Sequence, residues 1–354
     1  MPVSVVVGGQ FGSEGKGKIA LELVRRERAT TVVRVGGTNS GHTAISRDGK
    51  TYALRQLPAA CIDRSVKVVI PPGSYIDLEI LRAELQLLQL GPSSVRISPW
   101  AKIITDEHKA WERASNLNAA IGSTQSGTGA AVIAAIARDA EGFQLKSRDA
   151  EHIHELEPFL EDTSALLRKS LKRNERIVIE GSQGFGLSLL HGGFWPKATS
   201  RDTTAAGFAA EAGISPLDVD DVTLVIRCHP IRVAGDSGPL VNETDWETIA
   251  QDGGLSTSIH EYTTVTKKLR RVGAFDAGLV RRAVEVNRPT RIVLNHLDYV
   301  DPLVREGRVT SKARQFVSAV EAGIGEEISW LGTSPAAVLD RKRPAFSVDN
   351  RGDL

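Results

Sequence analysis

The sequence predicts an α/β protein with a mainly parallel central sheet, helices on both faces and inserted loops. Two observations predict this class. Short runs of β-branched residues recur along the chain, and segments with helical spacing of apolar residues lie between them. Continuous apolar runs suit strands that are buried on both faces, as the strands of a parallel sheet are. Ligands of such sheets bind at the carboxyl ends of the strands.

The expected strands and helices follow in chain order. Strands are predicted at VSVVV (3–7), TVVRV (31–35), VKVVI (66–70), SVRI (94–97), RIVIE (176–180), VTLVIR (222–227) and RIVLN (291–295). Helices are predicted at KIALELVRRE (18–27), DLEILRAELQLLQLG (77–91), AVIAAIARDAEG (131–142), the charged stretch 151–173 and FDAGLVRRAVEVN (275–287). No repeat or linker-like composition interrupts the alternation, so a single domain spanning 1–354 is expected.

Composition excludes several function classes. The 354 residues are 41 % hydrophobic and 25 % charged, and 44 basic against 43 acidic residues leave a net charge of +1. A near-neutral chain has no overall basic field for nucleic acid. No leader-like or membrane-spanning apolar run is present, so a cytoplasmic protein is expected. Cys61 and Cys228 lie far apart and are predicted to be buried, unpaired side chains.

The first candidate site is GGQFGSEGKGK, residues 8–18. It is not a Walker A motif, because Gln10 stands where that motif needs its first glycine and Gly17 follows the lysine. Its context, a strand, a glycine turn and then a helix, nevertheless favours phosphate binding by backbone amides and Lys16. The alternative is an ordinary strand–helix turn with solvated lysines.

A second glycine loop, VGGTNSGHT at residues 35–43, follows the next predicted strand. Its His42 could donate to a developing oxyanion or to a phosphate, although a loop histidine can also be purely structural. Two polar glycine loops on successive strand ends point to a single site at the edge of the sheet.

These segments resemble known signatures. FGSEGKGKI (11–19) and GGTNSGHT (36–43) are similar to the paired motifs WGDEGKGK and GGxNAGHT of adenylosuccinate synthetases. Five further segments resemble that family's GTTGRGIG, FEGAQG, YPxVTSSNTTAGG, ATTGRPRRCG and TKLD, and these are, in order, GSTQSGTG (122–129), IEGSQG (179–184), WPKATSRDTTAAG (195–207), TVTKKLRRVG (264–273) and LNHLD (294–298). The motifs occur in the family's order along most of the chain.

The resemblance implies a fold related to the P-loop NTPases and a C–N ligase of purine biosynthesis. In this family a nucleoside triphosphate phosphorylates O6 of a 6-oxopurine nucleotide, and the amine of L-aspartate then displaces the phosphate. Such chemistry needs stabilised charge on O6 and Mg²⁺ between the phosphates. A homodimer is also implied, since Arg138 matches an arginine that the family lends across its dimer interface.

Residue roles carried over from the family motifs are expectations. The catalytic positions are Ser13, Lys16, His42 and Gln183, and the Mg²⁺ ligands are Ser13 and Gly41. The triphosphate is expected at Gly12, Gly15, Lys16, Gly17, Lys18, Gly41, His42, Thr43, Asn295 and Asp298. The acceptor monophosphate is expected at Ser13, Asn39, Thr124, Gln125, Arg138, Gln183, Thr199 and Lys268, and aspartate at Thr266, Lys268 and Arg270.

Ser13 is the most informative departure, because the family has a catalytic aspartate there that accepts the purine N1 proton. Three interpretations are open: an inactive protein, an ordinary synthetase with another base, or a pocket rebuilt for a purine with an extra group beside N1. Guanine carries an amine at C2, and a serine would leave room for it and could accept its proton. The retained Lys16, His42 and Arg270 argue against inactivity.

Two more departures favour the rebuilt pocket. Lys268 replaces an arginine that reaches the ribose 2′-hydroxyl, and His296 replaces the lysine of TKLD beside the retained Asp298. The combination resembles the bacteriophage branch that makes 2-amino-2′-deoxyadenylosuccinate from dGMP and aspartate. The expected substrates are therefore dGMP, L-aspartate and ATP, dATP or GTP, in a host cytoplasm; the alternative is IMP with GTP. The replacement for the missing base is expected to be a water positioned by Ser13, or indirect help from Glu14.

Overall fold

The computed structural model of the chain describes residues 3–63, 65–257, 259–263 and 267–342. Sixteen strands lie within these ranges: β1 (Val3–Gly8), β2 (Thr31–Arg34), β3 (His42–Ile45), β4 (Thr51–Leu54), β5 (Lys67–Ile70), β6 (Tyr75–Ile76), β7 (Val95–Ile97), β8 (Lys102–Ile103), β9 (Ile177–Glu180), β10 (Val219–Arg227), β11 (Ile231–Arg232), β12 (Glu243–Thr244), β13 (Arg271–Gly273), β14 (Arg291–Asn295), β15 (Trp330–Gly332) and β16 (Val338–Asp340).

Nine of these strands form the central sheet, in the order β16-β15-β14-β10-β1-β9-β2-β5-β7. Every neighbouring pair is parallel except the edge pair β15 and β16, which is antiparallel. At the centre, Val5 of β1 pairs with Val222 on one side and with Ile179 on the other. All seven predicted strands lie in this sheet, so the predicted fold class is confirmed.

Helices cover both faces of the sheet. The described residues contain ten α-helices: α1 (Lys16–Glu27), α2 (Leu78–Leu88), α3 (Asp106–Ala114), α4 (Leu117–Ile121), α5 (Thr128–Ala137), α6 (Thr163–Lys172), α7 (Ala205–Ala212), α8 (Trp246–Gly253), α9 (Ala277–Asn287) and α10 (Ser311–Ile324). None of them is long and apolar enough to cross a membrane.

The core follows from the alternation of side chains along β1. Val6 points to one face and packs in a cluster with Ile19 and Leu23 of α1. Val5 and Val7 point to the other face and belong to a cluster that includes α7, α9 and α10. Successive residues of β1 are therefore buried on opposite faces, as expected for a central parallel strand.

One helix prediction is wrong in its extent. The charged stretch 151–173 is not one helix, because short 3₁₀ segments at Ala150–His152 and His154–Phe159 precede α6. Pro158 lies within the second 3₁₀ segment and lacks the amide proton that an α-helix interior needs, and α6 begins after it, at Thr163. Asp162 then caps α6 by accepting from the Ala165 amide at 3.0 Å.

Two other helices are shifted at their ends. The helix predicted at 131–142 lies at Thr128–Ala137, and it begins earlier because Gly127, with φ 80°, turns the chain into its first turn. The helix predicted at 77–91 is capped by Asp77 and ends earlier, at Leu88, because Gln89 adopts the left-handed conformation. Both cysteines are free and buried, as predicted.

Candidate functional site

Two cavities open at the carboxyl edge of the sheet. One has a volume of about 440 Å³ and the other about 370 Å³. Both are lined by Ser13, Lys16, Gly41, His42 and Arg270. A ligand in one cavity can therefore meet a ligand in the other across this shared wall, which is the arrangement that transfer of a group between two bound molecules requires.

The glycine loop after β1 supplies Lys16 to the shared wall. The buried Glu14 carboxylate accepts from the Gly12 amide at 2.7 Å and from Lys16 Nζ at 2.7 Å. Lys16 begins α1, and the N-cap residue Gly15 has no side-chain cap, so the first amides of the helix are free to bind an anion. Gly17 has no room for a side chain, because a Cβ there would lie 2.8 Å from the Cβ of His42.

His42 is held by a buried ionic cluster. It begins β3, and its Nδ1 lies 2.6 Å from Oε1 of Glu180, the last residue of β9. Arg34, the last residue of β2, places Nη1 at 3.1 Å from the same oxygen, and the Ala59 amide donates to the other carboxylate oxygen at 2.9 Å. The cluster fixes the ring because Glu180 is fully buried and accepts from several donors at once.

The protonation of His42 follows from this cluster. Burial and the Arg34 guanidinium lower the pKa of His42 to about 4, so the ring is neutral near pH 7 in the free protein. Burial opposes ionisation of Glu180, but the hydrogen bond from His42 and the charge of Arg34 outweigh it and lower the pKa of Glu180, which remains a carboxylate. Nδ1 lies beside Glu180, which only accepts, and 2.8 Å from Arg34 Nη1, which only donates. When the ring proton lies on Nδ1 and bonds to Glu180, Nε2 carries a proton only in the imidazolium form.

Ser13 lies between two arginines. Its Oγ accepts from Arg270 Nη1 at 2.8 Å, and its carbonyl accepts from Arg227 Nη1 at 3.0 Å. Arg227 is fully buried at the end of β10 and pairs with Glu261, whose second oxygen lies 3.2 Å from Nη1. Burial raises the pKa of Glu261, but Arg227 more than offsets this, and the pKa falls to about 2. This buried ion pair therefore supports the backbone of Ser13.

The residues expected to hold the acceptor monophosphate divide into two sets. Those that line the larger cavity are Ser13, Asn39, Thr124, Gln183 and Thr199. Asn39 Nδ2 and Thr199 Oγ1 lie 3.5 Å apart, so two separate loops meet there. Gln125, Arg138 and Lys268 line neither cavity, and the last two are exposed. Thr266 lies outside the described residues.

Nine of the ten residues expected at the triphosphate line the smaller cavity: Gly15, Lys16, Gly17, Lys18, Gly41, His42, Thr43, Asn295 and Asp298. Gly12 lines the larger cavity instead. Lys18 Nζ donates to the Ser334 carbonyl at 2.8 Å and to Asn295 Oδ1 at 3.1 Å. Burial lowers the pKa of Lys18 to about 8. Arg305 donates twice to Oδ2 of Asp298, at 2.8 and 3.0 Å.

The shared wall can be tested as a magnesium site. Mg²⁺ prefers oxygen ligands and is usually held by phosphates and one or two protein groups rather than by a dedicated cage. The Gly41 backbone lines both cavities and fits such a site. Ser13 fits less well in this conformation, because its Oγ already accepts from the Arg270 guanidinium, a cation that would repel the metal. Ser13 as a ligand stays a prediction.

Four residues of the site were not singled out from the sequence: Arg34, Glu180, Arg227 and Glu261. The first three share one signal. Each is a charged residue that ends an otherwise apolar strand, in TVVRV, RIVIE and VTLVIR. In a parallel sheet such residues stand at the ligand-binding edge. Glu261 has no comparable signal, because it approaches Arg227 only through the fold.

Comparisons with known proteins agree with this geometry. The sequence model of the family "Adenylosuccinate synthetase" matches residues 5–147 and 144–305. The adenylosuccinate synthetase of Pyrococcus sp. (strain ST700) is 35 % identical over 352 residues, covering 97 % of this chain and 99 % of the relative. That of Methanococcus aeolicus is 35 % identical over 343 residues, covering 95 % and 97 %.

Two solved structures resemble the whole chain. Cyanophage S-2L succinoaminodeoxyadenylate synthetase (PurZ), bound to dGMP and dATP as an energy donor, is 30 % identical with a TM-score of 0.79, covering 96 % of this chain and 95 % of that one. Fully ligated adenylosuccinate synthetase from Plasmodium falciparum is 21 % identical with a TM-score of 0.83, covering 97 % and 100 %, and supports the fold alone. The chain therefore belongs to the adenylosuccinate synthetase family of C–N ligases.

Proposed function

We propose that the chain condenses dGMP with L-aspartate to give 2-amino-2′-deoxy-N6-succinoadenylate. The γ-phosphoryl group of a nucleoside triphosphate is transferred to purine O6, releasing the diphosphate. The aspartate amine then attacks C6, the C6–O6 bond breaks, and O6 leaves with inorganic phosphate. The first step makes a good leaving group of a carbonyl oxygen. A protein that performs it must bind two nucleotides with their reacting ends together.

The observation that carries the proposal is the position of Ser13 in the wall between the two cavities. An aspartate there suits a purine that carries only a hydrogen atom at C2, beside N1. Serine is smaller, and with one lone pair engaged by Arg270 its hydroxyl retains a proton and a second lone pair. That lone pair can accept from N1–H or from the C2 amine, which favours guanine.

The other groups of the shared wall fit the first step. Lys16 and the free amides at the start of α1 stabilise the transferred phosphoryl group. His42 as imidazolium donates from Nε2 to O6, because Glu180 holds the other ring nitrogen. Gly41 would be the protein ligand of a bound Mg²⁺, which would supply neutralisation of phosphate charge.

The proton on N1 needs an acceptor other than aspartate. Glu14 lines neither cavity, and its carboxylate is enclosed by Lys16 and backbone amides. A direct role for Glu14 is therefore disfavoured, and a water held by the Ser13 hydroxyl is the remaining candidate. Aspartate is assigned to Arg270, whose fork matches a carboxylate.

Relatives support two substrate pairs. The 30 % identical PurZ structure holds dGMP and dATP, which supports dGMP as the acceptor. The 35 % identical archaeal relatives are named adenylosuccinate synthetases, which supports the second candidate, IMP with GTP. In the smaller cavity, Asp298 has one oxygen occupied by Arg305, and reading guanine N1–H and N2–H₂ would need both oxygens. This favours an adenine donor.

A substrate panel tests the proposal. Purified chain with Mg²⁺ and aspartate is offered dGMP, GMP or IMP, each with ATP, dATP or GTP, and the succinylated product is measured. Product with dGMP supports the proposal, and product with IMP alone selects the conventional reaction. Nucleotide binding without product from any combination would contradict both and indicate a regulatory protein.

A further inference from the structure

A second group of departures from the family motifs lies behind the larger cavity. Arg201 stands where YPxVTSSNTTAGG has its second serine of the TSSN segment, and Ser182 stands where FEGAQG has alanine. The two segments are far apart in the chain, yet Arg201 Nη2 donates to Ser182 Oγ at 2.9 Å. Ser182 thus supplies an acceptor that alanine lacks, and Arg201 supplies a guanidinium donor in place of the shorter serine hydroxyl.

Arg201 has a second partner on α7. Its Nη1 lies 2.6 Å from Oε1 of Glu211. The arginine is only 8 % exposed and does not line either cavity. A buried guanidinium with an ionic partner on one side and a hydroxyl on the other is a fixed strut rather than a mobile ligand group.

The strut joins three loops of the larger cavity. Ser182 precedes Gln183, Arg201 follows Thr199, and Gly36 belongs to the loop of Asn39. Gly36 has φ +97°, and a Cβ there would lie 2.6 Å from Arg201 Nη2, so this loop packs directly on the guanidinium.

We infer that Arg201 is a positioning residue for the acceptor nucleotide, acting through Ser182 and Glu211 to hold these three loops in register. The inference rests on the proposed function only in assigning the acceptor nucleotide to the larger cavity. Loops that are already ordered lose less entropy when the nucleotide binds. The strut therefore acts on acceptor affinity, and none of its residues, Arg201, Ser182 and Glu211, lines the smaller cavity, where the donor is expected.

Restoring the family residue at position 201 tests this. Arg201→Ser is expected to raise the KM for the acceptor monophosphate about tenfold, with the KM values for donor and aspartate within about twofold. Folding is expected to survive, because burial raises the pKa of Glu211 to about 7 and the carboxyl can take up a proton when its partner is lost. Arg201→Lys should give an intermediate KM, since one ammonium cannot fork to both partners.

A double-mutant cycle tests the hydrogen bond between Arg201 and Ser182 itself. Ser182→Ala should raise the acceptor KM about threefold alone and should have no added effect with Arg201→Ser, because the shared hydrogen bond is already absent. Arg168→Ser is the matched control, as Arg168 makes a two-bond pair with Asp218 on the surface and lines neither cavity. Its KM values should not change.

Two results would overturn the inference: an unchanged acceptor KM in Arg201→Ser, or equal effects of Ser182→Ala in both backgrounds. All assays use whichever of dGMP, GMP or IMP the wild-type chain turns over, and calorimetric binding of the same monophosphate without donor accompanies them. If IMP is the substrate, the proposed function fails while the role of Arg201 is still decided.

Discussion

Ser13 adopts φ 57°, a left-handed conformation that aspartate also tolerates. The backbone therefore does not explain why serine rather than aspartate stands at this position. The groups around Ser13, in contrast, do distinguish serine from aspartate. An aspartate would fill the space beside the purine and would also pair with Arg270, which now donates to Ser13 Oγ. We expect Ser13→Asp to abolish turnover of dGMP and to permit turnover of IMP, measured in the same substrate panel.

Ser13→Asn separates space from charge in that prediction. Asparagine has the size of aspartate without its charge, so loss of dGMP turnover in both variants indicates that space decides. A raised KM for aspartate in Ser13→Asp alone indicates that capture of Arg270 decides. Full dGMP activity in Ser13→Asp would contradict the proposed pocket.

His42 gives a prediction with a defined sign. Its pKa is about 4 in the free protein, and the phosphates of both nucleotides are expected to raise it. At a pH between the pKa of His42 in the free protein and its raised pKa in the complex, the complex holds a proton that the free protein lacks. Substrate binding at about pH 5 to 6 should therefore take up protons. Calorimetry in buffers of different ionisation enthalpy measures this uptake.

His42→Ala is the control for that uptake and for catalysis. Glu211, with its pKa raised to about 7, is already mostly protonated at pH 5 to 6 and takes up little, and subtracting the His42→Ala value removes the contributions of all other groups. Loss of the His42 donor is expected to lower turnover by about 10²–10³. Identical uptake by both proteins would show that His42 does not become protonated.

Among the elements, α5 has an unusual start. Its first amides are satisfied by Glu112 of α3, which accepts from Gly127 at 2.8 Å, Gly129 at 2.8 Å and Ala130 at 3.2 Å. Glu112 is 3 % exposed, so a buried carboxylate meets the positive end of the helix. This contact also orders the loop that carries Thr124 into the larger cavity.

The stability of the chain should depend on this cap. Glu112→Gln keeps the shape but removes the charge and one acceptor oxygen, and we expect the free energy of unfolding to fall by about 1–3 kcal/mol. Denaturant unfolding measures it. The exposed Glu285→Gln on α9 is the control and should change stability by less than about 0.5 kcal/mol. Equal losses in both variants would remove Glu112 from this role.

The elements also explain how far sequence alone could go. Seven buried strands were recognisable because apolar β-branched runs are a local signal. The short buried strand β15, which reads WLG, and α7, which reads AAGFAAEA, have patterns too weak to identify. The pairs Arg34–Glu180 and Arg227–Glu261 join residues that are distant in the chain. Single residues at strand ends suggest a site, but only the strand order brings Arg34 to Glu180, and only the fold of the chain outside the sheet brings Glu261 to Arg227.

For the whole molecule, the two cavities make the path of one oxygen testable. If the phosphoryl group passes across the wall of Ser13, Lys16 and His42 to purine O6, then O6 must leave with the phosphate. With the 6-oxygen of the acceptor labelled with ¹⁸O, we expect one label in each inorganic phosphate, measured by mass spectrometry. Unlabelled phosphate accompanying product would contradict a 6-phosphoryl intermediate.

Arg138 tests whether one chain forms a complete acceptor site. It caps the C-terminal end of α5, is exposed and lines neither cavity, whereas the family resemblance assigns it to the 5′-phosphate. The exposed position and the expected role are compatible if Arg138 enters the acceptor site of a second copy of the chain. We therefore propose that each site of a homodimer takes Arg138 from its neighbour. Arg138→Ala and His42→Ala proteins should each be inactive alone.

Mixing the two inactive proteins distinguishes an Arg138 that is supplied by the neighbouring chain from one that acts within its own chain. After subunit exchange, half of the dimers are hybrids, and one of the two sites in each hybrid has both His42 and a neighbour's intact Arg138. About a quarter of wild-type activity should therefore return. A mixture of Arg138→Ala with a doubly substituted Arg138→Ala, His42→Ala protein contains no intact site and is the control. If activity does not return although exchange is demonstrated, Arg138 acts within its own chain or not at all.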